Sequence, residues 1–145
     1  MPIRPILALA LICCCALPAS AATDRRGDGN IAAGHQAMQS QDVLAAQLQF
    51  ERAIVANPKN PQGYLLLGQV HRRLGNVDKA LKYFALALDL DPGLLTVLRL
   101  RGEVQLDAGR LAAAEQDLAK LGTKCQFACP EFQDLRKAVV EYKAR

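Results

Sequence analysis

The chain repeats itself at an interval of 34 residues, and this repeat constrains the fold more than any other feature. Each of five columns, spaced by that interval, holds identical or similar residues: Gly34, Gly68 and Gly102; Ala46, Ala80 and Ala114; Phe50, Phe84 and Leu118; Ala53, Ala87 and Leu121; Pro58 and Pro92. So many coincidences at one offset predict a short array of three similar units rather than one irregular core.

Each unit is predicted to be a pair of antiparallel helices, because apolar residues recur at three- and four-residue steps and helix breakers separate the runs. In the middle unit, the first helix is expected over about residues 61–74, with Asn60 as its cap and Gly75 as its stop. Asn76 is expected to cap the second helix, which ends near residues 91–92 because proline cannot continue it. Hydrophobic residues make up 51% of the chain but aromatic residues only 5%, so Ala and Leu dominate and an all-α fold is predicted.

The middle unit resembles a tetratricopeptide repeat in its spacing of small and bulky residues. The resemblance rests on Tyr64, Leu67, Gly68, Ala80, Phe84, Ala87 and Pro92, and it extends over about residues 27–122. It implies a right-handed α-solenoid of about three helix pairs, with repeats at about 27–60, 61–94 and 95–124. The column that usually holds a large aromatic carries Ala37, His71 and Gln105 instead, and the first unit has Asn30 and Ala33 where bulk is usual. The first unit is therefore expected to be loosely packed.

Residues 125–145 depart from the repeat and are predicted to form a closing helix over about 130–143. Pro130 is suited to a first helical turn, and one side of the helix carries Phe132, Leu135, Val139 and Tyr142. A solenoid needs such a helix, with a polar outer side, to cover its last apolar face.

Residues 1–21 are predicted to be a cleaved signal peptide. Arg4 supplies a positive charge, residues 6–17 are apolar, and residues 19–21 are small, so cleavage is expected after Ala21. An uncleaved anchor is disfavoured because 12 apolar residues fall short of the roughly 20 that span a bilayer. A lipoprotein is disfavoured because the residues that precede Cys13, Cys14 and Cys15 are not small. The sequence thus predicts export, to a bacterial periplasm or into the medium, with no membrane span after cleavage. Residues 22–27 are expected to be a disordered leader to a domain at 28–145.

Cys125 and Cys129 remain after the predicted cleavage and bracket the turn into the closing helix. Export favours a structural disulfide, which would staple this helix to the third unit. Two buried free thiols, or a redox or metal pair, are the alternatives. The spacing is not that of a redox motif, and a zinc site would need two further ligands, so neither a metal nor a cofactor is predicted.

Signals of catalysis and of nucleic-acid binding are nearly absent. Beyond residue 21 the chain has one serine, Ser40, and two histidines, His35 and His71, with no Gly-rich phosphate loop and no paired-histidine metal motif. The net charge of +4 is small and its Lys and Arg are scattered, unlike a nucleic-acid-binding stripe. The chain is therefore predicted not to be an enzyme and not to bind DNA or RNA.

The resemblance implies that the first helices of the units line a concave groove that binds another protein or a peptide. The implied groove residues are Ile31, His35, Met38, Leu65, Gln69, Arg72, Arg99, Glu103 and Leu106. This mixed apolar and basic set suits an amphipathic or extended peptide with a few acidic groups, whose carboxylates the arginines would bind. The alternative is that these residues form ordinary solvated helix faces.

Chaperone-binding members of the family clamp a C-terminal carboxylate with Lys and Asn. The corresponding positions here hold Ile31, His35, Leu66, Thr96 and Leu100, so the clamp is missing and a cytosolic co-chaperone is disfavoured. The leading prediction is an envelope scaffold, adaptor or assembly factor for another protein. Two alternatives stay open. One is an accessory thiol or maturation factor that uses Cys125 and Cys129; the other is a module that self-associates through the end near its irregular first unit.

Overall fold

The computed structural model describes residues 19–145, with side chains from residue 27 onward, and all regular structure in this part is helical. The helices are α1 (Ala19–Gln39), α2 (Val43–Ala56), α3 (Pro61–Arg73), α4 (Val77–Leu90), α5 (Leu95–Asp107), α6 (Leu111–Cys125) and α7 (Pro130–Lys143). Each helix packs on the next one in the chain, and α7 packs on both α5 and α6. The predicted solenoid of three helix pairs with a closing helix is confirmed.

The ends of the middle pair lie where the breakers in the sequence place them. The Oδ1 atom of Asn60 accepts a hydrogen bond from the Gln62 backbone N–H at 3.0 Å, which caps α3 as predicted. Gly75 then adopts a φ of +72°, a left-handed conformation that favours glycine, and ends that helix. Asn76 lies at the N-cap of α4, but its side chain makes no capping hydrogen bond, so only its position was predicted correctly.

Two repeat glycines lie directly beneath a phenylalanine of the same unit. A Cβ atom built on Gly34 would overlap the Phe50 ring, and one built on Gly68 would overlap the Phe84 ring. Phe84 also packs in a cluster with residues of α5, so it fills the space between the second and third units. Gly102 has no such partner within its own unit; its Cβ would come within 2.6 Å of Leu135 in α7. The closing helix therefore completes the third unit.

The first unit is better packed than its sequence indicates. Ala46 and Phe50 are fully buried, and they pack with the leucines of α3 in one cluster. The expectation of loose packing is wrong, because Phe50 covers Gly34 closely enough to compensate for the small residues elsewhere in α1.

The N-terminal boundary also differs from the prediction. Helix α1 begins at Ala19, so residues 22–27 are helical rather than a disordered leader. These residues continue a helix that is already formed by the packed part of α1, and extending an existing helix adds one hydrogen bond for each residue fixed. Residues 1–18 of the predicted signal peptide lie outside the described residues. Within residues 19–145, every helix is too short or too polar to cross a lipid bilayer.

Candidate protein-binding face

An open cleft lies between α3, α5 and α7, on the side of the array formed by the first helix of each pair. Its volume is about 510 Å³, and its walls are Arg72, Glu103, Leu106, Asp107, Gly109, Ala138, Glu141, Tyr142 and Arg145. Four of these nine residues lie on α7 or just after it. The sequence predicted α7 only as a cap, yet this helix also supplies one wall of the cleft.

The two arginines predicted for the groove, Arg72 and Arg99, are already paired with carboxylates of the same chain. The Nη1 atom of Arg72 lies 2.6 Å from Oε2 of Glu103, and its Nη2 lies 3.4 Å from Oδ2 of Asp107. Arg99 forms an ion pair with the other oxygen of Glu103, one helical turn away. The network connects α3 to α5 and balances the positive charge. The prediction of a mixed apolar and basic groove is therefore wrong in its charge, because Glu103 and Asp107 together balance the two arginines.

The other predicted groove residues are divided between the core and the surface. Leu65 is only 7% exposed and packs in the core, so it is not free to contact a partner as predicted. Leu106 is 6% exposed and belongs to the core, but its small exposed surface lines the cleft. Ile31 and Met38 are half-buried and pack against the core cluster that α2 and α3 form around Phe50. Gln69 lines a shallow depression beside the main cleft, with Arg72, Arg73 and Leu100.

His35 is exposed on α1, and its ring meets the edge of Phe50 with centroids 5.8 Å apart. The structure thus places it near the surface of the first unit, at the far end of the array from the main cleft. At the positions of the carboxylate clamp, Leu66 and Leu100 are buried, and the hydroxyl of Thr96 donates a hydrogen bond to Glu131 of α7. None of the clamp positions carries a cation.

A buried ion pair in the third unit was missed by sequence reasoning. The Nε and Nη2 atoms of Arg101 in α5 both donate to the carboxylate of Asp117 in α6, and the Nε–Oδ2 distance is 2.8 Å. The Asp117 side chain is 2% exposed and that of Arg101 is 17% exposed. The equivalent columns of the second unit hold Leu67 and Tyr83, which are uncharged. The appearance of two opposite charges in these columns of the third unit is the sequence signal that could have revealed the ion pair.

His71 lies in the core of the second unit, in the column that usually holds a large aromatic residue. Its side chain is 3% exposed and stacks on Tyr83 of α4 with ring centroids 5.2 Å apart. The Nδ1 atom has no hydrogen-bond partner among the described residues. Burial lowers the pKa of His71 below 6.5, and Lys79 lowers it further, while Glu51 opposes the shift. His71 is therefore neutral in the folded protein near neutral pH.

We expect acidification to destabilise the protein through His71. Because its pKa is lower in the folded chain than in the unfolded chain, the unfolded chain binds the proton first as the pH falls below about 6.5. Denaturant unfolding at pH 7.5 and pH 5.5 should show a larger loss of unfolding free energy for the native protein than for His71→Phe. That variant keeps a ring against Tyr83 and removes the titrating group. Equal losses for the two proteins would contradict this role for His71.

Cys125 ends α6 and Cys129 precedes α7, with their Cα atoms 5.6 Å apart and their sulfur atoms close enough to bond. Between them, Gln126 and Phe127 have φ angles of 52° and 63°, so two successive non-glycine residues are left-handed. The Phe127 ring lies over Gly122 and meets Phe132 edge to face. The described residues include no cluster of three or more His, Cys, Asp or Glu side chains that could hold a metal ion.

Comparisons with known proteins agree with this architecture. Residues 31–94 match the family model described as tetratricopeptide repeat. The fold is similar to that of the TPR2B domain of yeast Sti1 in its pHsp70 complex, with a TM-score of 0.77 and 15% identity over 83% of this chain and 98% of that chain. It is also similar to the first TPR of Spaghetti (RPAP3) bound to the HSP90 peptide SRMEEVD, with a TM-score of 0.75 and 16% identity over 84% and 96%.

A further similar structure is the type III secretion chaperone SycD of Yersinia enterocolitica in complex with a peptide of the translocator YopD. Its TM-score is 0.69, with 22% identity over 79% of this chain and 87% of that chain. A sequence comparison with curated proteins gave no match. The match shows that residues 31–94 are built of tetratricopeptide repeats, and the chain shares the solenoid fold of these tetratricopeptide-repeat domains.

Proposed function

We propose that this chain is a non-enzymatic scaffold, adaptor or assembly factor of the bacterial envelope that holds a segment of another protein in the cleft between α3, α5 and α7. The observation that carries the proposal is the cleft itself, which is open and is walled by three helices. Its mixture of half-buried apolar and charged side chains suits a peptide or a helix rather than a small apolar ligand. The similar domains of Sti1, RPAP3 and SycD were solved with protein or peptide partners.

The net charge of the cleft favours a partner segment with basic rather than acidic groups. Its walls carry three carboxylates, Glu103, Asp107 and Glu141, against two arginines, Arg72 and Arg145. The side chains of Asp107 and Glu141 are 62% and 60% exposed. Exposed carboxylates at the rim of an interface mainly set specificity and the association rate. A C-terminal carboxylate, as clamped by chaperone-binding relatives, would meet repulsion here.

The test is affinity capture from an envelope extract with the native chain and two charge-reversed variants. Asp107→Lys with Glu141→Lys reverses the cleft and leaves the Arg72–Glu103 pair intact. Asp28→Lys with Asp89→Lys changes the net charge by the same amount at exposed residues of α1 and α4, away from the cleft, and serves as the matched control. A partner that is retained by the native chain and the control, but lost by the cleft variant, would support the proposal. Equal capture by all three proteins would exclude this cleft as the binding site.

Export and a disulfide between Cys125 and Cys129 are parts of the same proposal. The protein taken from its cellular compartment should show no free thiol before reduction and two afterwards, by thiol titration. The bond closes a five-residue loop, for which loop-closure entropy gives about 2 kcal/mol of stabilisation. It would also hold the left-handed turn at Gln126 and Phe127, which is costly for non-glycine residues.

The corresponding stability measurement compares the oxidised protein with the reduced protein and with Cys125→Ser, Cys129→Ser. Reduction and the double substitution should each lower the free energy of unfolding by about 2 kcal/mol. Reductant should leave the serine variant unchanged. Two thiols that react before reduction would contradict the disulfide and favour the alternative of a thiol or maturation factor.

A further inference from the structure

The cleft between α3, α5 and α7 lies at the C-terminal ends of two parallel helices. Three contacts join residues at the same level of α5 and α7: Thr96 with Glu131, Gly102 with Leu135, and Gly109 with Tyr142. Both helices therefore run in the same direction, and they end beside the cleft at Asp107 and Lys143. The C-terminal end of a helix carries a partial negative charge, so the backbone itself favours a cation in this place.

Two carboxylates of the cleft retain the capacity to bind a further cation. The Oδ2 atom of Asp107 lies 3.4 Å from Nη2 of Arg72, and Oε1 of Glu141 lies 3.9 Å from Nζ of Lys137. Both distances exceed the ~2.7–2.9 Å of a strong charge-assisted hydrogen bond. Arg145 also lines the cleft, but it is exposed at the rim and can turn towards solvent. The cleft can therefore accept one positive group from a partner at Asp107 and Glu141.

Apolar side chains beside these carboxylates suit the stem of a long basic residue. Leu106, Ala138 and Tyr142 line the same cleft, and Tyr142 is half-buried. Lysine and arginine pack their methylene groups on such a surface while the charged end stays in water. A cation is also attracted to the face of a tyrosine ring. The cleft therefore suits a lysine or arginine side chain better than a small cation.

The shallow depression beside the cleft has the opposite charge. It is lined by Gln69, Arg72, Arg73 and Leu100, so it carries two arginines and no carboxylate. Arg73 is exposed and forms no ion pair within the part of the chain that the structure describes. A guanidinium can bind a carboxylate through two parallel hydrogen bonds, and the Gln69 amide can donate another. The depression therefore suits an aspartate or glutamate side chain.

We propose that the protein segment held here is extended and carries a lysine or arginine with an aspartate or glutamate three positions away. The proposal rests on the proposed function, since it specifies the chemistry of the segment that occupies the cleft. Arg72 borders both the cleft and the depression, so the two places are neighbours across α5. Neighbouring helices pack about 8–10 Å apart, and a polyproline II segment brings every third side chain to the same side after about 9 Å. A spacing of three residues therefore matches the separation of the two places.

The test selects binding peptides from a random library displayed on phage, with the full chain and three variants as bait. Peptides selected by the native chain should be enriched in lysine or arginine, with aspartate or glutamate three positions away. Asp107→Lys with Glu141→Lys should abolish the enrichment of the basic residue. Arg73→Glu should abolish that of the acidic residue. Lys59→Glu makes the same charge change just before α3, at the opposite end of that helix, and should select the same peptides as the native chain.

The affinity of one selected peptide then measures the pairing at Arg73 directly. Replacing the acidic residue of the peptide with lysine should raise its dissociation constant for the native chain about fivefold, because both partners are exposed to solvent. In the Arg73→Glu variant the preference should reverse, so that the lysine peptide binds more tightly than the acidic one. A variant that merely loses its fold would weaken both peptides and could not reverse the order.

The outcomes separate this proposal from that for the cleft. Selected peptides that lose binding to the Asp107→Lys, Glu141→Lys variant but lack an acidic residue at this spacing would overturn the charge pattern alone. A peptide preference that Arg73→Glu leaves unreversed would do the same. If the native chain selects no peptide, or if all the variants bind the selected peptides equally, the cleft is not the binding site and both proposals fail.

Discussion

Replacing Asp117 with Asn should lower the free energy of unfolding by about 3 kcal/mol, the lower end of the range for breaking a buried ion pair. The carboxylate receives two hydrogen bonds from Arg101, and its side chain is only 2% exposed. The substitution keeps the shape of the side chain but leaves the Arg101 guanidinium, 17% exposed, without a counter-charge between α5 and α6. Lys120, 3.9 Å from the carboxylate, is 56% exposed and can turn to solvent, so it adds little to the loss. Chemical denaturation of the two proteins measures the difference.

The matched control replaces both partners with the residues of the second unit, as Arg101→Leu with Asp117→Tyr. Leu67 and Tyr83 occupy these columns and pack in an apolar cluster there. A buried pair can often be exchanged for apolar residues without loss, so the double variant should lie within about 1 kcal/mol of the native protein. A loss in the double variant as large as that in Asp117→Asn would show that the site requires the ion pair itself rather than charge balance.

The helix boundaries and the order of the helices could be predicted from the sequence because both depend on local signals. Asn60, Gly75 and Pro130 mark ends through backbone preferences that act over a few residues. The 34-residue columns then assign each helix its buried side. Helix α1 was the exception. Its first three residues, Ala19 to Ala21, were assigned to the predicted signal peptide, so Pro18 was not used as the breaker that marks where the helix begins.

The candidate site was harder to predict, because a binding face depends on distances between helices. The cleft does lie among first helices, α3 and α5, but which of their residues remain exposed depends on how much of each helix the neighbouring helices cover. Leu65 is covered by the neighbouring unit, which periodicity within α3 does not reveal. Likewise, Arg72 and Glu103 are 31 residues apart and meet only because α3 and α5 lie side by side. The wall formed by α7 was missed because that helix lies outside the repeat.

The second large effect concerns the contact between Gly68 and Phe84, and Gly68→Val should destabilise the protein by about 3 kcal/mol or more. A Cβ atom at this position would come within 2.5 Å of Cδ1 of the phenylalanine ring, and both residues are buried. Overpacking a core costs about 1–3 kcal/mol and sometimes more, and valine adds two further methyl groups to the overlap. Gly68→Ala should cost about 1–2 kcal/mol, since the gain in helix propensity, about 1 kcal/mol, offsets part of the clash.

Gly29 in α1 provides the control, because no atom lies within 4 Å of a Cβ built there. Gly29→Ala should therefore stabilise the protein by about 0.5–1 kcal/mol through helix propensity alone, opposite in sign to Gly68→Ala. A smaller side chain in place of Phe84 should relieve the clash, and the third unit has one in this column, Leu118. Phe84→Leu should thus cost less in the Gly68→Ala background than in the native protein, and a double-mutant cycle measures that coupling. Additive losses would mean that the clash is relieved by movement of the helices, so that ring size does not limit how closely α3 and α4 approach.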